Sequence, residues 1–297
     1  MPDMLGYVLA IVSSIFFSLY VVPRKLSKLP ALYFSLLMSM AFFVGSVLLY
    51  ALKPVLGFQE VWSSALWWAV LAGAIWAAAF VTFIKSIDAI GLARSNQWKN
   101  LQGPIGVMLA LVFLGEWATT NPLLALLAGF AVFASAICFT IVTEKEDRKS
   151  HLRGVYLAAT SGLGFGTVAL INKYITIEVG VYSQQVVWSF CIFLSLLAYA
   201  LLQKGFTKNL RAIGRKDMLL SLAAGFLYLG ASVFMLQSFR FVPGAIAFTL
   251  IQLSAVWTIL IGLFVFNEID ARRYAVRIVL GFTLALAGIG LLVFARL

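Results

Sequence analysis

Acids, sulfur and imidazole are all scarce in this chain, which has 11 Asp and Glu, two cysteines and one histidine in 297 residues. A membrane enzyme acting on lipid-linked substrates would need His, Asp or Glu clustered at an interface. The sequence offers only Asp88, Glu116, Glu268 and scattered loop acids. Cys138 and Cys191 fall inside apolar runs and read as small space-filling hydrophobes. His151, beside Lys149 and Arg153, reads as a solvated loop residue. No metal site and no cofactor are expected. The phosphate-binding pattern G-x-x-x-x-G-K-[ST] is missing, which speaks against ATP-driven pumping by this chain alone. No loop is long enough to form an independent receptor or scaffold domain.

What the chain has instead is apolar length. It is 63% hydrophobic and 11% charged, with a mean hydropathy of +1.01. The apolar residues come in runs of about 20, the length a helix needs to span roughly 30 Å of hydrocarbon. Ten runs are predicted: 4–22, 29–52, 65–87, 93–114, 122–142, 154–175, 182–203, 218–239, 244–266 and 274–294. The first lacks a basic leading segment and a small-residue cleavage site, so it is expected to be a retained span.

The net charge of +11 is spread over short loops rather than gathered on a soluble module, so no nucleic-acid partner is expected. Assigning alternate loops to opposite sides puts 17 Lys and Arg on one side and four on the other. The positive-inside rule makes the rich side cytoplasmic, with both termini extracytoplasmic in a multi-pass plasma or inner membrane protein. The lipid bilayer and a small-molecule solute are the expected partners, and a homodimer is compatible with the sequence.

The chain also repeats itself. Gly73, Trp76, Ser86, Glu116, Gly129 and Phe130 align with Gly225, Tyr228, Ser238, Glu268, Gly281 and Phe282 at a constant offset of 152. "GYVLAIVSS" (6–14) likewise resembles "GVYLAATSG" (154–162). The expected fold is therefore an all-α integral membrane protein of ten helices in two five-helix repeats. Residues 1–143 form the first, 144–153 a charged cytoplasmic linker and 154–297 the second. An odd number of spans per repeat inverts the second copy relative to the first, the architecture of alternating-access transporters with a site near the midplane.

Ten spans in two repeats, the motif "SSIFFSLYVVPRK" and the Gly-Glu and Asn-Glu pairs closing the fourth and ninth runs resemble the drug/metabolite transporter superfamily. The first two spans and "LVFLGEW" (111–117) are especially similar to its glucose/ribose-type sugar uptake branch. The resemblance implies a secondary transporter with a central cavity flanked by spans three, four, eight and nine. Small exporters of cationic drugs in that superfamily carry an acid in span one, whereas here none stands between Gly6 and Val22. Sugar transport is the leading reading, and export of amino acids or other metabolites is the alternative.

Span four opens unusually, with "RSNQWKN" (94–100). A helical period would put Asn96, Lys99, Asn100 and Gly103 on one polar stripe. The repeat offset pairs Asn100 with Gln252 and Lys85 with Gln237, so carboxamides of the two halves are expected to line the cavity together. Interhelical hydrogen bonding is the plainer role for such residues. Lys99 either faces the cavity or snorkels to the cytoplasmic interface. Trp76, Tyr228 and Trp98 are candidate stacking surfaces, with helix packing as the ordinary alternative. Lys85, Asp88, Glu116 and Glu268 are gating or coupling candidates. Glu116 is expected at a helix C-terminus, where its charge opposes the dipole. Ser13, Ser14, Ser18 and "SGLGFG" (161–166) read as surfaces of close helix packing.

Overall fold

The computed structural model describes residues 2–55, 61–90, 95, 98–138, 148–265 and 275–295, and among them it contains helices and no strands. Six segments are long and apolar enough to cross a membrane: Met4–Leu26, Ala31–Leu52, Leu66–Ile87, Leu152–Glu178, Val181–Leu201 and Arg215–Ser238. Shorter apolar helices cover Gln102–Phe113, Pro122–Ser135, Gly244–Thr258 and Ala275–Leu291. Outward-facing positions carry large apolar side chains such as Trp67, Val112, Phe113 and Val276, as expected where lipid tails rather than water solvate the surface.

In chain order the helices are α1 (Pro2–Leu19), α2 (Val21–Leu26), α3 (Ala31–Leu52), α4 (Leu66–Ile90), α5 (Gln102–Phe113) and α6 (Pro122–Cys138). They continue as α7 (Arg148–Glu178), α8 (Val181–Leu201), α9 (Phe206–Arg211), α10 (Arg215–Ser238), α11 (Gly244–Ile251), α12 (Ser254–Phe264) and α13 (Ala275–Ala295). Helix α7 begins at Arg148, so the last six residues of the expected linker, His151 among them, are helical rather than loop.

Three of the spans are interrupted. The first bends at Tyr20, between α1 and α2, because Pro23 has no N–H to offer the Leu19 carbonyl. The fourth is interrupted at Asn100–Leu101, and the cause is Pro104, which cannot donate to the Asn100 carbonyl four residues earlier. That carbonyl accepts from Gly103 N at 3.1 Å instead, a tighter 3₁₀-type turn. The continuous stripe expected from Asn96 to Gly103 is broken at that turn. The ninth span is interrupted at Gln252–Leu253, where Leu253 N reaches Leu250 O at 3.0 Å.

Packing follows a regular scheme. Helix α4 lies on α7 and α8, while α10 lies on α1 and α3. Helix α5 touches α7 as well as α11, and α1 touches α11 and α12. The pairs α3 with α8, α6 with α13 and α5 with α11 complete the scheme. Close approach depends on small residues. A β-carbon at Gly162 of α7 would stand 2.8 Å from the Lys99 carbonyl oxygen, so glycine alone lets α7 lie against the turn that precedes α5.

Candidate functional site

A cavity lies between the 3₁₀-type turns at Asn100–Leu101 and Gln252–Leu253. It offers about 90 Å³ of room for the centres of water molecules, against the roughly 10–15 Å³ that a single water requires. Lys99 and Gln102 flank it at the first break, and Ile251, Gln252 and Ser254 at the second. Trp76 of α4, Phe165 and Asn172 of α7, Trp188 of α8 and Tyr228 of α10 add to its polar and aromatic wall, which Phe17, Tyr20, Phe248 and Thr258 complete. No Asp or Glu is among the described residues that line it.

Tyr228 is the centre of the aromatic wall. Its ring meets Phe42 edge-on at 4.9 Å, Tyr20 at 5.2 Å and Phe17 at 5.5 Å, geometries that suit the quadrupole of each ring. Trp76 Nε1 donates to Tyr228 Oη at 2.7 Å, and the Trp76 ring stacks on Phe80 at 4.6 Å. The tyrosine oxygen accepts that bond, so its own O–H is left to donate elsewhere.

Lys99 is half-buried, with its ammonium 5.2 Å from the Phe83 ring centre and 5.7 Å from that of Phe165. Both distances fall within the range of cation–π attraction. Gln252 is nearly enclosed and its Oε1 has no hydrogen-bond partner among the described residues.

The other residues singled out by the sequence lie elsewhere. Asn100 is buried, with Nδ2 unpartnered among the described residues, and is not among the cavity-lining residues. Gln237 is half-buried on α10 and likewise off the cavity, where Met235 stands instead. Trp98 is half-buried outside the lining. Lys85 is exposed, its ammonium 5.9 Å from the Tyr199 ring. Asn96, Glu268 and the side chain of Asp88 lie outside the described residues.

Glu116 has a different surrounding from the one its own helix suggests. Gly115, at φ 66°, ends α5 in the left-handed conformation and turns the chain away. The Glu116 carboxylate then accepts from Gly244 N at 2.6 Å and from Ala245 N at 2.8 Å, capping the start of α11. Its charge thus gains from a helix dipole after all, that of a helix 128 residues further along the chain. Lys173, also buried, closes the same end: its ammonium donates to the carbonyls of Phe239 and Val242, which follow α10. Glu116 Oε1 and Lys173 Cγ would each be 3.2 Å from a β-carbon on Gly244, so the two side chains meet at that helix start.

Sequence reasoning passed over Asn172, Lys173 and Gln184, although polar groups inside apolar runs are signals in themselves. Asn172 and Gln184 belong to one network with Thr176, which Lys173 does not join. Gln184 Nε2 donates to Asn172 Oδ1 at 3.0 Å, and Thr176 Oγ1 donates to Gln184 Oε1 at 2.9 Å. A neighbouring bond, Gln185 Nε2 to Ser232 Oγ at 2.6 Å, ties α8 to α10. In span one, Ser13 Oγ donates to Ala231 O at 2.7 Å and Ser14 Oγ accepts from Trp257 Nε1 at 2.9 Å.

A bundle of apolar helices, six of them among the described residues long enough to cross a membrane, enclosing a polar and aromatic cavity marks a multi-pass membrane protein. The chain belongs to the family described as sugar transport protein, which matches residues 55–295. A putative sugar uptake protein of Lactobacillus johnsonii is 25% identical over 254 residues, covering 84% of each chain. A probable glucose uptake protein, GlcU, of Staphylococcus aureus strain Mu50 is 23% identical over 223 residues, covering 69% of each. A solved crystal structure with 14% identity superposes with a TM-score of 0.71 over 99% of this chain and 98% of the other, a likeness of fold.

Proposed function

We propose that the chain is a secondary transporter that carries a sugar across the membrane by alternating access, through the cavity between two inverted five-helix repeats. The observation that carries this reading is the position of the two helix breaks. Asn100–Leu101 and Gln252–Leu253 are separated by the same 152 residues that relate the sequence repeats, and the cavity lies between them. Interrupted helices at corresponding positions of two halves are the usual makings of a midplane solute site, because freed backbone and side-chain groups there face a wet cavity instead of lipid.

The packing scheme supports the same symmetry. Exchanging each span for its counterpart five places on turns α4 on α7 into α10 on α1, and α4 on α8 into α10 on α3. Spans two and seven, four and nine, and five and ten each pack on their own counterparts. In this reading Lys99, Gln252, Trp76 and Tyr228 contact the solute, while Asn100 and Gln237 stand behind or beside the site. Lys85, Asp88 and Glu268 belong to the cytoplasmic mouth assigned by the charge asymmetry.

Glu116 and Lys173 close the extracytoplasmic end. Opening that end requires the carboxylate to leave the α11 amides and the ammonium to leave its two carbonyls, so these bonds act as a latch. The test of function is counterflow in proteoliposomes preloaded with unlabelled sugar, using radiolabelled glucose, ribose, amino acids and nucleosides. Accumulation of sugar label supports the reading. Accumulation of amino acid alone replaces it with the export alternative.

A further inference from the structure

Two lysines are held inside the bundle, and they are treated differently. Lys173 donates to two backbone carbonyls and sits beside Glu116, so its charge is accommodated by the protein. Among the described residues, Lys99 has aromatic rings at 5.2 and 5.7 Å but no hydrogen-bond or ion-pair partner, and no acid lines the cavity it faces. An ammonium withdrawn from bulk water without an anion is unfavourable in a low-dielectric setting. A site that keeps one in that state is built for an anion that arrives from outside.

The remaining wall supports the same conclusion. Asn172 and Trp188 both line the cavity, and Asn172 Nδ2 and Trp188 Nε1 are donors without partners among the described residues. Tyr228 has its O–H available because its oxygen is occupied by Trp76. Against these donors stands one enclosed acceptor without a partner among the described residues, Gln252 Oε1, while Gln102 and Ser254 add groups that can both donate and accept. Surplus donors around one cation match a ligand rich in acceptors that carries a single negative charge, with hydroxyls able to donate to Gln252. We propose, building on the sugar-transport reading, that the preferred solute is an acidic monosaccharide whose carboxylate pairs with Lys99.

A carboxylate fits better than a phosphate ester on charge count. Lys99 is the one cation among the lining residues, and a dianionic phosphate would retain an uncompensated charge inside the cavity. The aromatic wall accommodates the apolar face of a pyranose ring.

The test is isothermal titration of the purified full-length chain with glucuronate, glucose and glucose 6-phosphate, followed by the same ligands in proteoliposome counterflow. Glucuronate is expected to bind at least about tenfold more tightly than glucose, the size of one charge-assisted hydrogen bond in a shielded site. Lys99→Met is expected to abolish that preference, so that glucuronate and glucose bind with the same affinity as each other, and Lys99→Arg to keep it. Equal affinity for glucose and glucuronate in the wild-type chain overturns the proposal and leaves sugar transport standing, without reliance on any variant. Tightest binding of glucose 6-phosphate overturns it in favour of a phosphate ligand. Failure of every sugar to bind or exchange removes both the proposal and the reading beneath it.

Discussion

Trp76 and Tyr228, 152 residues apart, are joined by a 2.7 Å hydrogen bond between the indole N–H and the phenol oxygen. The two residues are counterparts under the sequence offset of 152, so in the proposed inverted-repeat reading the bond links equivalent points of the two halves. Tyr228→Phe leaves a buried indole donor without a partner, which costs about 1–3 kcal/mol. Trp76→Phe with Tyr228→Phe removes both partners and is expected to cost less than the two single changes added together. Unfolding of all four proteins in detergent checks this as a double-mutant cycle.

Glu116 holds two amides at the start of α11, and Glu116→Ala strips both of their acceptor. The expected loss is about 2 kcal/mol or more of stability, since buried donors are left unpaired and a favourable charge at a helix N-terminus is removed. Glu116→Gln keeps one acceptor oxygen and is expected to fall between the two. If the latch reading holds, both variants also raise the labelling rate of a cysteine placed at Gly244 from the extracytoplasmic side; an unchanged rate in a well-folded Glu116→Gln protein argues against it.

Pro104 deprives the Asn100 carbonyl of its ordinary helical donor. In Pro104→Ala the missing N–H returns, and the turn at Asn100–Leu101 is expected to straighten toward α-helix. Stability should hold or rise while sugar exchange slows, because the group presented to the cavity moves. A variant with wild-type exchange rates and an unchanged unfolding temperature separates the break from function.

Orientation rests on the charge asymmetry. Val55→Cys, next to Lys53 in a loop on the lysine-poor side, and Ala212→Cys, in the basic stretch between α9 and α10, lie at exposed positions. A membrane-impermeant maleimide applied to intact cells is expected to modify the first and not the second. Modification of both from outside would break the alternation of loops on which inverted repeats depend.

How far a sequence can be read here depends on the range of the cause. The position of Pro104 and the tyrosine-for-tryptophan match at the repeat offset were visible before any coordinates, and so was the scarcity of acid. The polar stripe through Asn100 was also visible, but the proline break sets Asn100 off the cavity and brings Gln102 to its wall. Asn172 was legible as a carboxamide in an apolar run, yet nothing in its own segment indicates that Gln184 occupies its oxygen and leaves its nitrogen unpaired.

The sequence by itself determined that the chain is helical and apolar enough to cross a membrane repeatedly, because lipid forces each spanning segment to satisfy its backbone internally and that demand is met locally. Tertiary structure alone decided the fate of the polar groups. Glu116 caps a helix 128 residues away, Lys173 meets the carbonyls after α10, and Lys99 faces the cavity with no acid beside it among the described residues. Partners of that kind are set by which helices touch, and a side chain's own neighbours in sequence carry no record of the helix it will meet.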